Sequence, residues 1–405
     1  MSKTASFADR SAWLTIVGLG EDGPDGLPPA SLAALENAEI IMGAKRHLSL
    51  LPKLTAKLVT WPVPFADGVP VVMSYRGRRV VALASGDPFW HGAGAVLVKE
   101  LQADEWRTLP APSTMSLAAA ALGWPLEKTP CFGFHAAPFE RLHSSMFPGA
   151  RMIATMRDGA AVQQLGAWLT EQGFGATTVH ILEALGGPRE RIRGCLATNI
   201  PSDIAHPVCV ALEVTGQGAV MPLATGRPDT LFDNDGQITK RPVRALTLSA
   251  LAPRPTEHLW DIGGGSGSIG LEWLMTHPTT KATAIEIDPS RASRIRANAA
   301  QLGLERLNVV TGAAPEALAG LPMPDAIFIG GGISAEMLDW IWENVPAGVR
   351  LVANGVTLEA EMLLADWHAA KGGTLLRIEL SESKPLGRKR GWKASYPIVQ
   401  WSVSL

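Results

Sequence analysis

The chain has 405 residues, more than one hydrophobic core normally organises, and its 46% hydrophobic and 18% charged composition is that of a folded globular protein, so at least two domains are expected. With 36 basic and 38 acidic side chains the net charge is −2, which offers no whole-molecule field to nucleic acid or an anionic membrane. Cys131, Cys195 and Cys209 are far apart and form no C-x-x-C pair, which argues against a disulfide framework or zinc site and fits reduced, cytoplasmic thiols.

In chain order, residues 1–10 are polar and do not resemble a signal peptide, and no later run reaches the roughly 18 apolar residues of a membrane span. A soluble protein is expected. Short apolar runs alternate with alanine- and leucine-rich stretches, the pattern of mostly parallel α/β sheets. A first strand series is predicted at 13–17, 80–84, 150–155, 178–182 and 207–213. The first strand runs into Val17-Gly18-Leu19-Gly20, and no phosphate-cradling lysine follows, which excludes a P-loop. The second ends in Ser85-Gly86-Asp87-Pro88, where Gly86 and Pro88 predict a sharp turn aiming Asp87 and nearby amides into a cleft. Asp87 also reads as an ordinary turn former, and Ser113 and Thr114 as a helix cap that could serve a site as well.

The segment 223–236 is rich in Gly, Pro, Asp and Asn and is read as a linker, with the boundary near residue 230. A second strand series is predicted at 258–262, 282–287, 307–311, 326–329 and 348–353. Its opening strand leads into Asp261-Ile262-Gly263-Gly264-Gly265-Ser266-Gly267, where glycines permit a tight turn and a ligand lying against the backbone. Gly265, Gly267 and Gly270 also have dinucleotide spacing, so an NAD-dependent oxidoreductase stays open. Asp261 before the first glycine and the Gly263/Gly265/Gly267 core favour S-adenosylmethionine, with Asp261 able to hold its ammonium group. Glu286, at the end of the next strand, suits a pair of ribose hydroxyls, or it or Asp288 caps the following helix.

Ile238-Thr239-Lys240-Arg241-Pro242-Val243-Arg244, the glycine turn, Gly312-Ala313-Ala314-Pro315-Glu316 and Phe328-Ile329-Gly330-Gly331-Gly332 resemble the decarboxylating precorrin methyltransferase domains of cobalamin biosynthesis. The resemblance implies a Rossmann-like class I methyltransferase fold over 236–405, with cofactor contacts from Thr239, Gly263 to Gly267, Glu286 and Gly312 to Ala314. Gly264 replaces a usual Ala, and Ala313 a frequent acidic residue, leaving only backbone contacts there. The V-G-x-G loop, the G-D-P turn, Ala111-Pro112-Ser113-Thr114-Met115-Ser116 and Leu185-Gly186-Gly187-Pro188-Arg189-Glu190-Arg191-Ile192 resemble the tetrapyrrole (corrin and porphyrin) methylases. That implies a two-subdomain tetrapyrrole methylase fold over 11–222, with Gly18, Gly20, Ser85, Gly86, Asp87, Pro88, Ser113 and Thr114 at the cofactor.

The fused order is similar to the decarboxylating precorrin-6Y C5,15-methyltransferase family. It implies methylation of a tetrapyrrole at C5 by the first half and at C15 by the second, with loss of the ring C acetate carboxyl to give precorrin-8, and an oligomer. One half serving only as a binding module is the third reading. Methyl transfer demands no catalytic dyad, and no Ser/His/Asp grouping or metal cluster stands out; His91, His135 and His143 read as surface or core residues. Cations for the substrate's carboxylates are sought in Lys240, Arg241 and Arg244, and in Arg388, Lys389 and Arg390, flanked by Lys384 and Lys393, unless that run is a solvated face. The 13 tryptophans are assigned to core packing.

Overall fold

The computed structural model describes residues 12–90 and 92–405; residues 1–10, the expected domain start at Ser11, and His91 lie outside the described residues. The chain divides into two compact units, the first reaching Phe139 and resuming over Ser145–Ala219, the second comprising Glu140–Ser144 and Val220–Leu405.

In the first unit, β1 (Leu14–Leu19), β2 (Ile40–Gly43), β3 (Lys57–Thr60), β4 (Val80–Ser85) and β5 (Trp106–Leu109) form an all-parallel sheet in the order β3-β2-β4-β1-β5. Alternate residues serve opposite faces: Leu14, Ile16, Val80 and Ala82 join one core cluster, and Val17, Leu19, Val81 and Leu83 the other. Covering both faces explains why β1 and β4 read as unbroken apolar runs. β6 (Cys131–Phe134), β7 (Arg151–Met156), β8 (Thr178–Glu183), β9 (Arg191–Leu196) and β10 (Val208–Glu213) form a second sheet in the order β6-β7-β10-β8-β9. Only β6 and β7 are parallel, a departure from the mostly parallel expectation. The short connection from β8 to β9 returns the chain antiparallel, whereas a parallel neighbour needs a long crossover.

The second unit is one sheet of β11 (His258–Ile262), β12 (Lys281–Glu286), β13 (Asn308–Thr311), β14 (Ala326–Ile329), β15 (Arg350–Gly355), β16 (Thr374–Ile378) and β19 (Ile398–Ser404), in the order β13-β12-β11-β14-β15-β19-β16. The five strands from β11 to β15 are parallel, and β19 runs antiparallel to both of its neighbours. Leu259 packs into one core cluster and Trp260 with Ile262 into another, as the strand pleat requires. Trp260, Trp273 and Trp401 are fully buried, in keeping with a packing role, whereas Trp392 is 79% exposed. It lies on a hairpin of β17 (Ser381–Leu386) and β18 (Lys389–Ala394), which follows β16 and precedes β19.

The segment 223–236 is not a free linker. Phe232 is 2% exposed in the core of the second unit, and the amides of Gly226 and Arg227 donate to the buried Glu272 at 2.7 and 2.9 Å. The boundary therefore falls near residue 220, ahead of this segment, rather than near 230. Its loop-like composition conceals an anchor built from backbone donors.

Candidate active sites

In the second unit a cavity of about 530 Å³ opens at the carboxyl ends of β11, β12, β14 and β15. This is the crevice where an open parallel sheet reverses its strand order, between β11 and β14. After β11 the chain turns through Gly263, Gly265 and Gly267 at φ +72°, +58° and +75°, backbone shapes that side chains rarely allow. A Cβ on Gly263 would stand 2.8 Å from the amide nitrogen of Gly331, so the loop after β11 lies directly against the glycine loop after β14. The turn is closed by Gly267 donating to the Gly264 carbonyl at 2.7 Å, and the helix Ser268–Thr276 follows.

Two carboxylates hold this turn. Asp261, 1% exposed, accepts the Gly270 amide at 2.9 Å; burial, and then the nearby Glu286 charge, push its carboxyl up to about 7. Glu286, 4% exposed, accepts the Gly265 amide at 2.8 Å and the Asp288 amide at 3.0 Å, one on each oxygen. Each oxygen keeps a further lone pair for a ligand hydroxyl. Asp288, not Glu286, caps the helix Pro289–Gln301.

Of the residues singled out in the sequence, the structure brings Thr239, Lys240, Asp261, Gly263, Gly264, Gly265, Ser266, Glu286, Gly312, Ala313 and Ala314 to this cavity. Gly267 is adjacent but packs on Ile295, so it shapes the wall without lining it. Arg244 is a correction. It is wholly buried, its guanidinium bound to Glu272 at 2.6 Å and Asp229 at 2.9 Å and to the Thr239 carbonyl, so it supports the wall and cannot reach a substrate. Arg241 is exposed, off the lining, and donates to the Gly226 carbonyl at 2.7 Å. Arg388, Lys389 and Arg390 lie exposed at the hairpin tip, also off the lining.

Sequence reading missed Asn354, which the last parallel strand carries to the cavity wall. Asn354 and Gln400 both donate to Thr247 Oγ1 at 3.0 Å, and Gln400 also donates to Asn354 Oδ1 at 2.9 Å. A buried Asn and Gln paired across β15 and β19 are invisible until the antiparallel strand order is known.

The first unit holds a cavity of about 620 Å³ at the carboxyl ends of β1 and β4. Gly20, Ser85, Gly86, Asp87, Ser113 and Thr114 line it. Gly18 and Pro88 do not: a Cβ on Gly18 would lie 1.8 Å from the Gly86 carbonyl oxygen, so Gly18 is where the end of β1 touches the loop after β4. Asp87 Oδ1 accepts the Phe89 amide at 2.8 Å, a turn-forming bond made at the cavity edge. Ser113 caps the helix Thr114–Leu122 through the Ser116 amide at 3.0 Å while also facing the cavity. His135 is on the lining, whereas His143 is not.

A polar cluster on this wall went unread: Glu21, Arg46 and His47. Glu21, 8% exposed, pairs with Arg46 and, at 3.0 Å, with Arg189. Arg46 Nη2 lies 3.0 Å from Ser85 Oγ and 2.9 Å from His47 Nε2, and His47 Nε2 lies 3.0 Å from the same hydroxyl. Burial, then Arg46, lowers the His47 imidazole to about 4, so it is neutral at physiological pH. Burial pushes the Cys209 thiol to about 12, which removes it as a nucleophile. Among the described residues no group of His, Cys, Asp and Glu could hold a metal ion, and no helix is long and apolar enough to cross a membrane.

Comparison with known proteins joins these halves. The tetrapyrrole (corrin/porphyrin) methylases match residues 13–201 and the precorrin methyltransferase domain matches residues 230–405. A precorrin-6Y C(5,15)-methyltransferase (decarboxylating) from Sinorhizobium sp is 47% identical over 397 residues, 97% of this chain and 96% of its own. The chain belongs to the decarboxylating precorrin-6Y C(5,15)-methyltransferase family. Two shorter proteins of Salmonella typhimurium are also similar. A cobalt-precorrin-6B C(15)-methyltransferase (decarboxylating) is 31% identical, covering 40% of this chain and 85% of its own. A cobalt-precorrin-7 C(5)-methyltransferase is 27% identical, covering 49% and 98%. Membership of the precorrin-6Y C(5,15)-methyltransferase family makes this chain a decarboxylating C-methyltransferase and removes the oxidoreductase reading of Gly265, Gly267 and Gly270.

Proposed function

We propose that the chain methylates precorrin-6Y twice from S-adenosylmethionine: at C5 in the first unit, and at C15 in the second with loss of the ring C acetate carboxyl as carbon dioxide, giving precorrin-8. The observation that carries this is one ligand-sized cavity in each unit, each at the carboxyl edge of a parallel sheet and each walled by glycine turns. The two Salmonella relatives, one named for C5 and one for C15 with decarboxylation, support dividing the work.

The second cavity fits the cofactor. A Cβ at Gly265 would enter open space in its glycine cradle, Glu286 presents two oxygens to a ribose, Asp261 is a buried carboxyl that a ligand ammonium would keep ionised, and the buried Ser266 hydroxyl has no partner among the described residues. Thr239 and the backbone of Gly312 to Ala314 close the other side. S-adenosylmethionine, when bound, supplies a methyl group already activated on a sulfonium. The protein's own part is then to align that donor with the substrate carbon and exclude water. In the first unit the same work falls to Gly20, the Ser85 to Asp87 turn, Ser113 and Thr114. Lys240, on the rim of the second cavity, is the candidate cation for a substrate carboxylate, and the hairpin cations extend that positive field outward.

Incubation of the full chain with precorrin-6Y and methyl-labelled S-adenosylmethionine tests the proposal. The expected product, read by mass spectrometry, carries two labelled methyl groups and has lost one carboxyl. Thermal stabilisation by NADH, with no response to S-adenosylhomocysteine, would overturn it.

A further inference from the structure

We propose that Arg46 and the Nδ1–H of His47 form a carboxylate-binding corner in the first cavity. The inference rests on the methyltransferase reading of that cavity and adds the ligand group its wall recognises. Arg46 and His47 sit on the helix Lys45–Leu50, immediately after β2, and both line the cavity. A guanidinium can only donate, so its 2.9 Å approach to His47 Nε2 makes that nitrogen an acceptor, and Ser85 Oγ, 3.0 Å from the same atom, also accepts from Arg46. The ring proton therefore belongs to Nδ1.

His47 is 5% exposed, and Nδ1 is buried with no partner among the described residues. An N–H donor buried without an acceptor is costly, so an acceptor supplied by a ligand would restore the balance. The charges beside it point to an anion. Arg46 and Arg189 share a single carboxylate, Glu21, so two guanidinium groups here face one acid; burial, then the Arg189 charge, holds Arg46 below its usual range. Asp87, on the same lining, accepts the Phe89 amide and shows no ion pair with Arg46. Arg46 and His47 both line this cavity, and a guanidinium with a neutral imidazole N–H beside it suits a carboxylate. Two sources carry one: the methionyl end of the cofactor, and the rim of the tetrapyrrole.

The test follows C5 and C15 methylation separately in the full chain, using ¹³C-labelled methyl groups and nuclear magnetic resonance, with C15 methylation as the internal control for folding. Arg46→Met and His47→Phe are expected to raise one KM of the C5 step by about tenfold with little change in kcat, the size of one charge-assisted hydrogen bond. His47→Asn, which keeps a donor at the δ position, should restore most of the loss. If the cofactor carboxylate is held, the KM for S-adenosylmethionine rises and inhibition by S-adenosylhomocysteine weakens, while inhibition by methylthioadenosine, which lacks the amino acid, does not change. If the tetrapyrrole is held, its own KM rises and both inhibitors act as before. Unchanged KM values in Arg46→Met and His47→Phe would overturn the inference. So would a His47→Asn variant as impaired as His47→Phe, which also decides the matter if Arg46→Met fails to fold. A wild-type chain that makes no C5 methyl group would instead sink the reading of the cavity itself.

Discussion

The two cavities occupy the same place in their sheets but bury opposite kinds of titratable group. On the second cavity's wall is Asp261, an acid pushed up to about 7; on the first's is His47, a base lowered to about 4. Burial is the leading cause in both, because it disfavours whichever form is charged. The glycine turns differ as well. In the second unit Gly265 leaves open space, with no atom closer than 3.6 Å to its missing Cβ, while Gly263 is packed against Gly331 much as Gly18 in the first unit is packed against Gly86. Both sheets thus use glycine for close backbone contact, and the second also uses it to leave room for a ligand.

The largest expected effects on turnover follow from that open space and from the close contact at Gly18. Gly265→Arg would place a side chain in open cavity space, and should reduce C15 methylation and decarboxylation roughly a hundredfold or more, about 3 kcal/mol of transition-state stabilisation, while C5 methylation continues. Gly18→Val should do the reverse by forcing the end of β1 away from the loop after β4. Product analysis of both variants checks the pair; loss of both methylations in either folded variant would show that the sites are not independent.

On stability, the largest effect is expected from the buried charge cluster beneath the second cavity. Arg244→Met leaves Glu272 with less of its compensation and should lower the stability of the second unit by about 3–5 kcal/mol, read by urea unfolding. The unfolding transition of the first unit should not move. A variant with normal stability but a raised substrate KM would return Arg244 to the substrate.

The buried acid and base predict opposite pH responses. Folding raises the Asp261 pKa from 3.8 to about 7, so the folded state keeps a proton that the unfolded state releases, and the second unit loses stability as pH rises from about 4 to 7. At full development this is on the order of 4 kcal/mol. Folding lowers the His47 pKa from 6.5 to about 4, so the unfolded state gains a proton that the folded one refuses. The first unit accordingly loses stability as pH falls from about 6.5 to 4, on the order of 3 kcal/mol. Calorimetry of the unliganded chain across this range should show the two unfolding transitions moving in opposite directions, and Asp261→Asn should flatten only the second unit's.

How far these features could be read from sequence depended on their range. The strands 258–262 and 326–329 were legible to the residue because parallel burial makes them short, apolar and bounded by glycine. The glycine turn, Glu286 and Thr239 were legible because a ligand-cradling loop is local in sequence. Arg244 was misread because its partners, Glu272 and Asp229, lie 28 and 15 residues away, and nothing local separates a buried arginine from a rim arginine. Arg46 and His47 were passed over because the cluster forms only when β2 and β4 lie side by side, bringing Ser85 across 38 residues to His47.

The smallest effect concerns the second cavity's rim. Lys240 is exposed on the lining, and its charge reaches Glu382 on β17, whose ion-pair partner at 2.6 Å is Lys384. Arg388, Lys389 and Arg390 lie farther out with both faces of their hairpin in solvent. Exposed charges more than about 8 Å from a ligand are largely screened at physiological salt. Lys240→Gln should therefore raise the tetrapyrrole KM of the C15 step by a few-fold, as an exposed ion pair of about 0.2–1 kcal/mol allows. Neutralising the three tip cations together should act mainly at low salt, through the rate of encounter. Kinetics of both variants at low and high salt read this directly. If the triple change raises KM more than Lys240→Gln does, and salt does not diminish the difference, the hairpin touches the substrate and the second site is larger than its cavity.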